Sequence, residues 1–239
     1  MAAPLTVFCR TEKKYLLTAE QYRAFSDAVS GYLTPDEYGK STVLSHYLDT
    51  RDHRLIRASL DAENYKEKLR VRSYGVPDSR DGTVFFEIKK KCDGIVYKRR
   101  VPMTYAEAET FLTTSVPPRD SQIARELAYS LRFYGFPMPS VLIACEREAF
   151  FCGDGLRLTF DSDVRYSFGV PLLSSDGGKP LFRDGEVLLE VKCGGGMPLW
   201  LTGTLDRLGL FPASFSKCGA AYLEMNEITE HRMGEIYYG

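Results

Sequence analysis

Between Tyr65 and Arg72 every second residue is a cation, and this alternation restricts the fold more than any other feature of the chain. Side chains of a β-strand point to opposite faces in turn, so residues i, i+2 and i+4 share a face. One face of this segment carries Lys66, Lys68, Arg70 and Arg72; the other carries Tyr65, Glu67, Leu69 and Val71. The partition recurs. Glu87, Lys89 and Lys91 stand opposite Val84, Phe86, Ile88 and Lys90, and Lys98 and Arg100 opposite Ile95, Tyr97 and Val101. Arg157, Thr159 and Asp161 oppose Leu156, Leu158 and Phe160, and Glu190 and Lys192 oppose Val187, Leu189 and Val191. Arg10, Glu12 and Lys14 alternate with Cys9, Thr11 and Lys13, a weaker partition, and Arg147 follows Val141, Ile143 and Cys145 along one strand.

A single strand of this kind is explained by a charged face in water. The set is not. Solvated faces mix both signs, whereas Lys and Arg dominate here strand after strand. The expected helices also carry apolar stripes (Leu127, Leu131 and Tyr134; Tyr22, Phe25 and Val29) that require an apolar sheet face to cover. If helices cover the apolar faces, a sheet curling on itself turns the cations inward. The expectation is an α+β fold: an eight-stranded antiparallel β-barrel with helices packed outside, one domain over residues 1–239 with a frayed tail from about 229.

An interior of that kind cannot be dry, because isolated buried charges cost many kcal/mol. Thirteen cations converge (Arg10, Lys14, Lys66, Lys68, Arg70, Arg72, Lys89, Lys91, Lys98, Arg100, Arg147, Arg157, Lys192) against Glu12, Glu87, Asp161 and Glu190, in a chain of net charge −1. Such a surplus suits a chain of phosphates, gripped by the two-pronged guanidinium and by mobile lysines. The carboxylates suit a hard divalent ion, Mn²⁺ or Mg²⁺, which takes one or two carboxylates plus phosphate oxygens and waters. Glu190 leads for that role, with Glu12 and Glu87 next; ion pairing with neighbouring cations serves Glu12 and Glu87 equally well.

Local signals order the elements as strand (about 5–15), helix (18–31), strand (41–49), helix (52–60) and strands (64–73, 83–91, 94–101). Helices (104–113, 119–134), strands (138–151, 155–166, 185–193) and helices (198–208, 216–226) complete the chain. Thr18 with Gln21 reads as a capping box, Asp93-Gly94 as a hairpin turn, and 176–180 as a loop.

Other chemistries find little support. The six cysteines form no Cys-x-x-Cys pair and there are three histidines, so free thiols in a reducing cytosol are expected, and with them a cytoplasmic location. No apolar run is long enough for a bilayer, and no direct membrane insertion is expected. Nucleic acid is disfavoured because Tyr65 and Phe86 fall on the apolar faces, away from the cations. Gly39-Lys-Ser41 lacks the first glycine of a P-loop, Thr34 standing there, and reads as a loop entering a strand. Gly194–Gly196 reads as a turn, and His46 as a hydrogen-bonded structural histidine.

Several segments, in order, resemble the VTC domain, the polyphosphate-polymerase branch of the triphosphate tunnel metalloenzymes (the CYTH superfamily). They are Arg10–Tyr15, Ser45–Thr50, Tyr65–Arg72, Glu87–Lys89, Tyr97–Val101, Glu146–Phe150, Arg157–Asp161, Leu189–Lys192 and Phe215–Lys217. The superfamily's Glu-x-Glu-x-Lys signature stands here as Arg10-x-Glu12-x-Lys14, the VTC form; Cys218 occupies a position where the family often has an aromatic. The resemblance implies a metal-dependent transfer of the γ-phosphate of ATP onto inorganic polyphosphate. Lys68, Arg70, Arg72, Lys89, Arg147 and Arg157 would clamp the nucleotide's phosphates. Arg10, Lys14, Lys66, Lys91, Lys98, Arg100, Lys192 and Lys217 would guide the chain, with Glu190 on the metal. Any membrane coupling would come from a separate partner. A triphosphatase or cyclase of the same superfamily, and a non-catalytic polyphosphate sensor, are the competing expectations.

Overall fold

The computed structural model describes residues 11–61, 64–93, 95–153 and 155–238, with side chains to 227 except that of Tyr38. Strand β1 (Thr11–Leu17) enters helix α1 (Ala19–Val29) through the expected capping box, in which Thr18 Oγ1 accepts from the Gln21 N–H and Gln21 Oε1 from the Thr18 N–H. Strand β2 (Thr34–Asp49) starts seven residues earlier than expected. The Gly39-Lys-Ser41 stretch therefore lies inside a strand, where Gly39 takes φ 56°, a conformation that glycine adopts without a Cβ penalty. Helix α2 (Arg54–Asp61) precedes the meander β3 (Tyr65–Tyr74), β4 (Thr83–Cys92) and β5 (Ile95–Thr104). Then come α3 (Tyr105–Thr114), α4 (Gln122–Phe133), β6 (Met138–Phe151) and β7 (Arg157–Phe168). A two-residue β8 (Lys179–Pro180) falls in the expected loop, followed by β9 (Val187–Cys193), α5 (Leu199–Arg207) and α6 (Lys217–Tyr238), which runs past the expected end near 226.

The strands follow the order β1-β9-β7-β6-β2-β3-β4-β5, with β8 beside β7. Every defined pairing is antiparallel. The architecture is thus the expected α+β arrangement of eight principal antiparallel strands with helices. Among the described residues the strands form a path with β1 and β5 at its ends, and the expected closure of the barrel by hydrogen bonds is not seen.

The chain groups into two compact units. The first holds 1–41, 145–164 and 182–214; the second holds 42–144, 165–181 and 215–239. Each has its own core on the apolar side of its strands. In the second unit the register sets Leu69 opposite Ile88, Val71 opposite Phe86, and Phe86 opposite Val101. Helices α3 and α4 cover this row with Phe111, Leu127 and Leu131. Phe86 and Phe111 meet edge to face at 5.1 Å, and each such fully buried side chain contributes roughly 1.5–3 kcal/mol. In the first unit Tyr15, Leu17, Leu158, Phe160, Leu189 and Val191 pack with Phe25 and Val29 of α1 and Leu201 and Leu205 of α5. Among the described residues no helix is long and apolar enough to cross a membrane.

The end of β2 ties the sheet to α2. Asp49 accepts from the N–H groups of Leu55 and Ile56 at 2.8 and 2.9 Å, and Thr50 Oγ1 from that of Arg54 at 2.9 Å, filling the donors exposed at the start of α2. His46 is fully buried, as a structural histidine; its Nδ1 accepts from the Leu173 N–H at 3.3 Å. Burial pushes its pKa down from 6.5 to about 4. The neutral form is favoured in the folded state, so stability is lost as pH falls from 6.5 toward 4, by up to about 3 kcal/mol. Urea unfolding at pH 7 and pH 4.5 should show this loss in the wild type and a smaller loss in His46→Asn, whose amide oxygen can still accept from Leu173.

Candidate phosphate-binding site

On the second unit the register assembles one charged face. Tyr47, Arg70, Glu87 and Arg100 form one cross-strand row, and Lys68, Lys89 and Lys98 the next. Lys66 faces Lys91 toward the hairpin end, and Arg72 faces Ser45. Eight of the predicted cations therefore share this face, and Glu87 is the one carboxylate on it among the described residues of β3, β4 and β5.

Glu87 organises it. Arg70 donates from Nε to Glu87 Oε2 at 2.7 Å, its Nη2 lies 2.5 Å from the same oxygen, and Lys98 Nζ lies 2.9 Å from Oε1. Burial raises the Glu87 pKa, but Arg70, Arg72 and Lys98 overcome it and hold the carboxyl at about 2. Glu87, one of the three acids considered for a metal, thus carries ion pairs on both carboxylate oxygens. The far side of Arg70 is fixed by Tyr47, whose Oη accepts from Nη1 at 3.1 Å. Burial opposes its charge, yet Tyr47 and Glu87 raise the Arg70 pKa above the ordinary arginine value. Arg72 is buried and donates to Ser45 Oγ from Nε and Nη2, at 3.0 and 2.9 Å. Lys68 Nζ donates to Ser216 Oγ at 2.8 Å and lies 3.4 Å from Cys218 Sγ. Ser216 caps α6, accepting from the Gly219 N–H, and Lys217 is the first residue of that helix. Lys91 and Arg100 are exposed, the latter stacked over Phe85 at 4.7 Å, while Lys66 and Lys89 are half-buried.

The first unit has a second charged face. Lys14 pairs with Glu190 in the β1–β9 ladder, Glu12 with Lys192, and Arg157 and Thr159 of β7 stand opposite Lys192 and Glu190. Glu190 is nearly buried, 3.0 Å from Lys192 Nζ and 3.8 Å from Lys14 Nζ; Glu12 lies 3.7 Å from the same Lys14 ammonium. Arg147 grips fully buried Asp161 through Nε and Nη2 at 2.5 and 2.6 Å. Burial disfavours its charge, but Asp161 more than compensates and raises the Arg147 pKa. Arg157 donates from Nη2 to Asp36 at 3.0 Å and lies over Phe151 at 5.4 Å. Arg10 lies outside the described residues.

Glu190 and Glu12, both within reach of one lysine, form a donor set that fits a hard divalent ion whose remaining ligands are phosphate oxygens and water. No group of three His, Cys, Asp or Glu side chains suited to a metal exists among the described residues. Three positioning residues were missed in the sequence. Ser45 and Tyr47 do carry a signal, an i, i+2 pair of hydroxyls alternating with His46 and Leu48. Asp36 carries none, since its partner Arg157 is 121 positions away.

The fold recurs in solved structures. A proposed adenylate cyclase from Bacillus halodurans aligns at 15% identity over 86% of this chain and 92% of its own, with a TM-score of 0.53. A proposed adenylyl cyclase from Hippeastrum, described as having a dominant triphosphatase activity, aligns at 16% identity over 86% and 91%, with a TM-score of 0.54. A proposed adenylate cyclase from Vibrio parahaemolyticus aligns at 13% over 91% and 99%, with a TM-score of 0.50. No curated protein sequence matches. The chain therefore shares its fold with these structures. The model of the VTC domain matches residues 9–226, and the chain belongs to that family.

Lys98 offers a direct test of phosphate binding. Burial, with Arg70 and Arg72, lowers its pKa to about 8 against the pull of Glu87. With 39% of the side chain exposed, the shift bears on ligand binding rather than on folding. An anion on this face favours protonated Lys98, so affinity for inorganic tripolyphosphate should fall as pH rises above 8, by up to about tenfold per pH unit. Calorimetric titrations from pH 7 to 9.5 should show this step in the wild type and lose it in Lys98→Gln.

Proposed function

We propose that this protein is a polyphosphate polymerase that transfers the γ-phosphate of ATP onto a growing inorganic polyphosphate chain with the help of Mn²⁺ or Mg²⁺. The observation that carries the reading is the face of β3, β4 and β5, where eight cations surround one ion-paired glutamate, in a chain of the VTC-domain family. A surface of that composition suits closely spaced phosphates.

Phosphoryl transfer needs in-line positioning and neutralisation of charge more than covalent chemistry from the protein. An ionised terminal oxygen of the acceptor chain attacks the γ-phosphorus, the bond from that phosphorus to the β–γ bridging oxygen breaks, and ADP leaves. No protein base is required, because the attacking oxygen carries no proton. Lys68, Arg70, Arg72 and Lys89 bind phosphoryl oxygens, with Arg70 and Arg72 held in orientation by Glu87, Tyr47 and Ser45. Arg147 is held by Asp161 along one edge of its guanidinium, which leaves Nη1 for a phosphate oxygen. Arg157 serves likewise, and Lys14, Lys66, Lys91, Lys98, Arg100, Lys192 and Lys217 conduct the polyanion. Glu190, with Glu12, would hold the divalent ion, whose chemistry is to neutralise and orient the phosphates. A cytoplasmic site of action, and any membrane-bound partner that receives the product, belong to the same proposal.

A second reading, hydrolysis of inorganic or nucleoside triphosphate, draws on the triphosphatase activity described for the Hippeastrum protein. The two differ in the nucleophile, phosphate or water. Incubation with ATP and Mn²⁺, followed by electrophoresis stained for polyphosphate, should give a ladder that Glu190→Ala abolishes. Arg70→Ala should lower kcat by roughly 10²–10³-fold. Orthophosphate release without a ladder would favour the hydrolase, and binding without turnover a polyphosphate sensor.

A further inference from the structure

Thr159 is 2% exposed, and its Oγ1 meets no hydrogen-bond partner among the described residues. An unsatisfied buried hydroxyl costs about 1–3 kcal/mol, and valine would fill the same space without that cost. Strand β7 supplies no reason to prefer threonine, since both residues are good strand formers. The hydroxyl therefore calls for a partner outside the protein.

Its surroundings indicate which one. Thr159 lies between Arg157 and Asp161 on the charged face and stands directly opposite Glu190 in the β7–β9 register. Facing side chains of an antiparallel pair have Cβ atoms about 4.5–5.5 Å apart, so the hydroxyl and the carboxylate border one small volume. Arg147 already holds Asp161, and Arg157 holds Asp36. A phosphate oxygen placed between Thr159 and Glu190 would face the carboxylate's negative charge, whereas a cation there would be attracted by it. A hydroxyl beside a carboxylate is also the pair with which P-loop enzymes hold Mg²⁺.

We propose that Thr159 Oγ1 is a ligand, directly or through one water, of the divalent cation held by Glu190. The assignment rests on the metal role given to Glu190 above and adds a residue to it.

The test titrates Mn²⁺ alone into wild type, Thr159→Val, Thr159→Ser and Glu190→Ala, following free Mn²⁺ by electron paramagnetic resonance. Thr159→Val should weaken Mn²⁺ binding by about tenfold or more, in the range of losses at metal-supporting residues, while Thr159→Ser stays near wild type. Thermal melting of metal-free Thr159→Val should occur at the wild-type temperature or above, because an unsatisfied hydroxyl has been removed. A purely structural threonine would not combine equal or higher stability with weaker metal binding. Wild-type Mn²⁺ affinity in Thr159→Val, with Glu190→Ala impaired, overturns this proposal alone, including the case in which tripolyphosphate affinity falls instead. Mn²⁺ that stays free in the wild type, or binds regardless of Glu190→Ala, overturns it together with the metal role of Glu190.

Discussion

Buried carboxylates make so dense a set of cations tolerable. Glu87 is 1% exposed, Asp161 not at all, and the Asp36 side chain 5%. Glu87 takes one edge of Arg70 and Asp161 one edge of Arg147, while Asp36 accepts from Nη2 of Arg157. A buried guanidinium without its counter-charge would cost about 3–5 kcal/mol, and a flexible one would lose much of its two-pronged geometry. These acids both lower the electrostatic cost of the charged faces and aim the arginines. Glu87 illustrates both effects, with Arg70 on one of its oxygens and Lys98 on the other.

The strand alternation that creates the charged faces also builds the cores behind them. Leu69, Val71, Phe86 and Ile88 are the off-beat residues of the segments that carry Lys68, Arg70, Glu87 and Lys89. A slip of one residue would exchange core and site at a stroke, so burial of the apolar row enforces the register of the basic one. Strand β2 shows the same economy within six residues. Ser45 and Tyr47 steady Arg72 and Arg70, His46 and Leu48 are buried, and Asp49 with Thr50 caps α2.

Some residues on these faces are poorly chosen for stability alone. Thr159 leaves a hydroxyl unsatisfied among the described residues, and Lys98 sits where burial and neighbouring arginines oppose its charge. Local costs of this kind are expected where a surface is built for a ligand that neutralises them.

Period-two alternation by itself determined which residues share a face, and hence which cations group together, because side-chain direction along a strand is a local property. Local too was the capping box at Thr18 and Gln21. Tertiary structure decided the rest. Asp36 meets Arg157 across 121 positions, and Ser216 meets Lys68 across 148, through strand order and helix placement that no local period encodes. The same holds for the surroundings of each acid. Glu87 and Glu190 look alike in sequence, each beside a lysine two residues on, and differ in their cross-strand neighbours: Arg70 and Arg100 flank Glu87, whereas Lys14 and Thr159, whose buried hydroxyl has no hydrogen-bond partner among the described residues, flank Glu190.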